Sequence, residues 1–487
     1  MSKHTLYQMP VRASLVAVLA AAVLVNGCGD LSPSNIQNPN LTDGQFIGTT
    51  GAAASWLLGT QRQFLTTLNN IVQQSENVSD NYYNNYTTNN QLFDNPQIEN
   101  FDSDVTSLQS NVARLRKLAN FAIDSLFPRD TTVTANMKAE NLFYRGMANL
   151  WAGESFTSLP AVAMGPVLDA KDHLSAAVAD FTQARTLTTD AAARNSYTLA
   201  LARTYYRLGD RAKAVQEAQA LLAANPTFTR LAQFDATNGP TNGLTGLLTS
   251  SVNNFQPLPR LDFLDPKYPN RGPTTQSPIT FLKAEEAHLI LAEALLFDNN
   301  VAGAKDRLKQ LLTLVQSRPV ETVDGTLQKR GRAGGKVIYP NTSDTRVAFA
   351  QDQPLVAGLV LTRGTGMRVP TTSGTSVTAA QIDAATTVDG VLYLLCLMRQ
   401  EIFLAEGRRM TDLGIRFPLA QAELNANPLA DAAAVYTKAQ LPPFIPTGFQ
   451  MDAFTYDQTA KTVVIKFDMN RVLVQNKTSP FVLPLLK

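Results

Sequence analysis

Along most of the chain apolar residues recur three and four positions apart, the period of helices that bury one face. Between residues 98 and 126, Val105, Leu108, Val112, Leu115, Leu118, Phe121 and Ile123 mark one such face. A second predicted helix occupies residues 41–75. Thr42-Asp43 forms its capped entry, and an apolar stripe runs from Ala52 to Leu68. Residues 136–225 carry three to four amphipathic segments. The clearest holds Ala202, Tyr205, Leu208-Gly209, Ala214, Ala218 and Pro226 at tetratricopeptide spacing. Residues 282–294 and 302–315 read as a second hairpin, and residues 136–156 with 170–187 as a third pair. A strong helix is expected over 391–414 and a short strand near Thr462–Phe467. Residues 227–280 and 318–388, rich in Gly, Pro, Thr and Asn, read as long irregular regions. The pattern predicts a mainly α fold, a helical-repeat scaffold whose pairs bury their faces against one another.

The N-terminus has a different pattern. Lys3 and Arg12 precede an unbroken apolar run, Ala13–Val25, followed by Asn26-Gly27-Cys28. A basic stretch, a short apolar run and a small residue before cysteine read as a lipoprotein signal peptide over 1–27. Cys28 is then the lipidated residue, and its acyl chains anchor the protein to a bilayer. Residues 28–40, rich in Ser, Pro and Asn, read as a flexible tether. Residues 41–487 are taken as one domain.

Charge adds little pull toward polyanions. The 42 basic and 40 acidic residues become balanced once Lys3 and Arg12 are removed with the leader, so no nucleic-acid partner is expected. Charged residues make up 17%, below the roughly 25% of ordinary domains, and amides and hydroxyls supply much of the polar surface. The second cysteine, Cys396, lies in an apolar helical run and reads as a buried thiol. His173 and His288 are the only histidines after the leader and have no metal-ligand spacing, so neither a metal nor a cofactor is expected. Gly331–Lys336 lacks both the first glycine and the hydroxyl residue of a phosphate loop and reads as a flexible basic loop. Glu401, Glu406, Arg408, Arg409 and Asp412 are charge-dense on the late helix. They read as structural ion pairs, with Asp412 within reach of Arg408 and Arg409 along the helix surface. No catalytic residue is assigned. The helical aromatics Trp56, Trp151, Tyr205 and Tyr206 read as core.

Several of these features together resemble the SusD/RagB family of nutrient-uptake outer-membrane lipoproteins. They are the cysteine after the leader with Leu41–Phe46 beyond it, the helical repeats, Phe281–Ala294 with its closing Ala-Glu-Ala, and above all Arg399–Leu413, with Glu406-Gly407, Arg409 and Asp412-Leu413. The resemblance implies a SusD-like α-α superhelix on the outer membrane, lipid-anchored and facing the cell exterior. It also implies capture of nutrients, glycans among them, and their delivery to a TonB-dependent transporter.

For the ligand, one segment combines the chemistry a sugar needs, rings for its C–H faces and amides or carboxylates for its hydroxyls. Asp80, Asn81, Tyr82, Tyr83, Asn85 and Tyr86 lie within Ser79–Asn90, which reads as an exposed loop and as the binding site. Tyr268, Asn270 and Arg271 are weaker candidates. The alternatives are a protein-interaction scaffold without a small ligand, or a hydrolase built on two carboxylates.

Overall fold

The computed structural model describes residue 47 and residues 49–84, 90–249, 255–328, 338–448 and 451–487. The leader, Cys28, the tether, the Thr42–Phe46 entry and the 331–336 segment lie outside the described residues.

The long helices are α1 (Ala52–Val78), α2 (Ser103–Phe121), α3 (Ala135–Ser155), α4 (Ala170–Leu187), α5 (Ala191–Leu208), α6 (Arg211–Ala224), α7 (Glu285–Phe297), α8 (Val301–Gln316) and α9 (Val388–Ile402). Their starts follow from capping chemistry. Asp102, Thr134, Asp169, Asp190 and Asp210 each accept a hydrogen bond from an otherwise unpaired amide of the first turn. Gly209 closes α5 in the left-handed region at φ 73° and turns the chain into α6, as the repeat spacing predicts. Ala202, Ala214 and Ala218 are fully buried at that pairing.

Helices α3 and α4 approach especially closely. Gly146 and Gly153 lie seven residues apart on one face of α3. A Cβ added to them would sit 2.5 Å from the Phe181 ring and 2.7 Å from Leu174 of α4. The hairpins α3–α4, α5–α6 and α7–α8 stack side by side, and one buried cluster runs from Phe64 to Leu485. The mainly α, tetratricopeptide-like reading is correct.

Short strands tie the connecting regions down: β1 (Tyr82–Asn84), β2 (Ser158–Pro160), β3 (Val167–Asp169), β4 (Thr229–Ala232), β5 (Phe255–Pro257), β6 (Ile279–Lys283), β7 (Val320–Val323), β8 (Arg346–Ala348), β9 (Met367–Pro370), β10 (Phe454–Asp457) and β11 (Thr462–Ile465). They pair as β1–β5, β2–β3, β4–β6, β7–β9 and β10–β11–β8.

Two expectations need correction. Residues 282–283 are strand rather than helix, because β6 pairs antiparallel with β4 before the chain turns into α7. The predicted helix over 391–414 stops at Ile402, and only Arg409–Asp412 is helical again. Between them Ala405 and Gly407 adopt φ of 56° and 70°. Glycine is required at 407 for a second reason, since a Cβ there would lie 3.1 Å from the Val72 backbone of α1. The break aims the end of α9 and the following turn at the centre of the molecule.

Candidate functional site

The charges around that break form a buried hub. Glu406 accepts hydrogen bonds from Lys267 at 2.5 Å and Lys283 at 2.6 Å, and all three are almost wholly buried. The same ammonium groups cap the free carbonyls at the end of α9. Lys267 donates to Leu404 O at 2.8 Å and Lys283 to Ile402 O at 2.7 Å. Tyr268, a weaker ligand candidate, is buried here and donates to Ala405 O at 2.8 Å. Asn270 and Arg271 remain exposed, with Arg271 paired to Glu321.

Further charges reach out from the late segment. Arg408 donates to Glu286 at 2.9 Å, Glu401 accepts from Ser376 Oγ at 2.6 Å, and Arg409 grips Asp80 through two bonds of 2.5 and 2.8 Å. Asp412 does not pair along its own helix as expected. It meets Arg207 at 3.0 Å and Arg399 at 3.6 Å, joining α5 to α9. The structural reading of these charges holds, but their partners lie on other elements.

This hub also corrects the reading of the tyrosine segment as an exposed loop. Asp80 and Asn81 are fully buried and Tyr82 is nearly so. Gln400 of α9 donates to Asp80 and to Asn81, each at 2.9 Å, while Asn81 donates to Glu76 at 2.7 Å. Burial pushes the Asp80 carboxyl up, but Arg409 and Arg260 outweigh it and hold the group below its usual range. Tyr82 stacks on Phe255 with centroids 5.9 Å apart. These three residues have no surface to offer a ligand.

Strand alternation sends Tyr83 the other way. It is half-buried, with its ring 6.2 Å from Tyr339, which in turn meets Phe454 edge-on at 4.9 Å. Asn85 and Tyr86 lie outside the described residues. The Tyr339 and Phe454 contribution was not legible in the sequence, because both come from regions without periodic pattern.

Glu76, at the foot of this segment, titrates unusually. Burial raises its pKa from 4.5 to about 7 despite the bonds it accepts from Asn81 and from the Gly407 amide at 3.1 Å. A carboxyl raised in the folded state stabilises fully below its unfolded pKa and loses that contribution as pH rises through the folded value. Glu76→Gln is therefore expected to flatten the fall in stability between pH 4.5 and 7. The flattening should amount to roughly 3 kcal/mol, read from urea unfolding of both proteins across that window. An unchanged slope would contradict the assignment. Glu286, also raised to about 7 by burial, supplies a residual slope of the same sign.

Two clefts open elsewhere. One, of about 550 Å³, lies between Phe263, Phe349, Gln381 and Tyr393. The larger, about 860 Å³, runs along α2 beside Trp56 and Phe121. Trp56 is half-buried and walls this cleft, rather than being the core residue its helical position predicts. Trp151 and Tyr206 are core, whereas Tyr205 is half-buried.

His173 and His288 are both buried, and burial lowers the pKa of each to about 4. Cys396 is a buried free thiol. Among the described residues no group of three His, Cys, Asp or Glu side chains is placed to hold a metal. No described helix is long and apolar enough to cross a membrane.

No protein-family model matches the chain, and no curated protein does. Solved structures do. A SusD superfamily protein from Bacteroides vulgatus is 13% identical with a TM-score of 0.53, the match covering 80% of this chain and 98% of that one. A SusD superfamily protein from Bacteroides thetaiotaomicron is 14% identical with a TM-score of 0.52, covering 79% and 98%. A SusD-like carbohydrate binding protein from Bacteroides vulgatus is 14% identical with a TM-score of 0.51, covering 75% and 83%. The chain has the fold of these proteins.

Proposed function

We propose that this chain is a SusD-like receptor that binds carbohydrate and delivers it to a TonB-dependent outer-membrane transporter. In this reading residues 41–487 act as one domain held to the outer membrane, facing outward, through lipid on Cys28. The carrying observation is the half-buried Tyr83 ring of β1, backed by the buried Tyr339 and then Phe454, in a fold shared with a SusD-like carbohydrate binding protein. Fold alone does not dictate function. The open part of the Tyr83 ring, braced from behind by the buried Tyr339, is a surface suited to the C–H face of a sugar. Asn85 and Tyr86, next along the chain, extend the proposed contact with an amide and a further ring.

Binding rather than hydrolysis suits the acids that the sequence offered. Glu401, Glu406 and Asp412 are all sequestered in hydrogen bonds or ion pairs of the hub, so they do not form a solvent-facing acid-base pair.

The test is equilibrium binding of a panel of neutral oligosaccharides to the full chain and to Tyr83→Ala. The expected result is micromolar to millimolar affinity for at least one sugar. Removing one aromatic anchor is expected to weaken it about tenfold, with circular dichroism unchanged. A sugar bound with the same affinity by both proteins would contradict the assignment of Tyr83, and no binding across the panel would contradict the receptor.

A further inference from the structure

The cleft beside Trp56 is well separated from the tyrosine segment. Trp56 lies near the start of α1, whereas the tyrosines follow its last residue, Val78. At 1.5 Å per residue, these points are about 33 Å apart along one helix.

The floor of the cleft is the outward face of α2. Ser110, Ala113, Arg114, Lys117 and Phe121 recur along it at helical spacing. The aromatic end is built to stay in place. The Trp56 indole donates to Leu118 O at 2.9 Å, and its ring lies 4.5 Å from the Phe121 centroid. The side wall, Leu159–Ala163, is pinned from behind, since the buried Arg116 donates to Pro160 O at 2.5 Å and to Asn149 at 3.2 Å. A site fixed before its ligand arrives loses less entropy on binding.

Charge in the cleft is one-sided. Arg114 and Lys117 are exposed on its floor, and among the described residues neither is engaged in an ion pair. Glu423, at the far end, is the lining acid. Its carboxylate already accepts from Gln109 at 3.3 Å and Asn427 at 2.9 Å. A fixed aromatic platform beside two adjacent free cations fits a ring with apolar C–H faces that also carries carboxylates.

We infer that this cleft is a second binding site, specific for acidic saccharides. A sugar ring lies on Trp56 and Phe121, and its carboxylates pair with Arg114 and Lys117. The inference does not rest on the Tyr83 site.

The experiment titrates the full chain with tetragalacturonate and with its methyl ester, which keeps the shape and removes the charge. The chain has two tryptophans, and Trp151 is 2% exposed inside the core, so a fluorescence change reports Trp56. Tetragalacturonate is expected to quench the fluorescence, and added salt to weaken its binding. The ester should bind at least tenfold more weakly. Arg114→Gln/Lys117→Gln, a change of two exposed side chains, should lose at least tenfold in affinity and most of the salt dependence. Trp56→Phe should abolish the quench, and Tyr83→Ala should leave tetragalacturonate binding unchanged. Equal binding of acid and ester, an unaffected double variant, or loss of binding in Tyr83→Ala would each overturn the inference. So would displacement of the saccharide, at equal affinity, by a hexaglutamate peptide or anionic phosphatidylglycerol vesicles.

Discussion

Glu406→Gln is expected to lower the stability of the folded protein by about 3–5 kcal/mol, the cost of breaking a buried ion pair from one side. Native domains are stable by only about 5–15 kcal/mol, so the variant should be mostly insoluble or unfold at much lower urea. One Glu406 oxygen serves two ammonium groups, and neither lysine is more than 2% exposed. Burial already lowers the Lys283 pKa from 10.5 to about 8, with Glu406 opposing that shift. Without the carboxylate both cations face a low-dielectric interior, and their remaining partners are carbonyls at the end of α9 and Thr372 O.

The sign of the pH response follows. A lysine with a lowered folded pKa binds its proton less tightly when folded, so stability rises with pH between the folded and unfolded values. Losing Glu406, which opposes that shift, takes the Lys283 pKa of Glu406→Gln below the parent's value of about 8, so part of the loss should be restored as the pH is raised toward 8. Adding Lys283→Met to the variant should also recover part of it. Urea midpoints at two pH values decide the matter, and a Glu406→Gln protein within 1 kcal/mol of the parent would remove the hub from the account of stability.

Asp80→Ala ranks next, with an expected loss again of about 3–5 kcal/mol. Arg409 would lose both bonds to Asp80 and keep Asn470 at 3.0 Å, leaving a buried guanidinium without its carboxylate. Gln400 would lose its bond to Asp80 as well, keeping Asn81 at 2.9 Å and Asn470 at 2.7 Å. The double variant Asp80→Ala/Arg409→Met should be less destabilised than the two single losses added together, because the second change removes the orphaned charge. Asp80 stands two residues before β1, so the folded fraction of Asp80→Ala should also bind sugar more weakly. Strict additivity in the cycle would contradict the pairing.

These predictions concern interactions that local pattern could only half reveal. Helices α2 to α6 were legible because each buries one stripe and starts at a capping residue. The late helix was over-extended because the apolar period runs on past Ile402. Gly407 was the available signal, but its requirement comes from the approach of Val72, more than 300 residues away in sequence. The tyrosine segment looked exposed because Asp and Asn are turn formers with high desolvation cost. Inside the fold that cost is met by Gln400 and Arg409, again over 300 residues distant, a spacing that no periodicity can register. Of that segment's described candidates, only Tyr83 escapes the hub, because the alternation of a three-residue strand turns it outward. The acidic-sugar cleft was invisible for the opposite reason. Trp56 fits a helical stripe, and only the arrangement of α1, α2 and the β2–β3 connection shows that its ring lines open space.

The most direct measurement of the central claim is a structure of the protein with a neutral oligosaccharide from the binding panel. The expected result is a sugar ring packed on the open side of Tyr83, its carbons within about 4 Å of the aromatic ring, with the buried Tyr339 behind it. A neutral sugar bound without touching Tyr83 would contradict that claim.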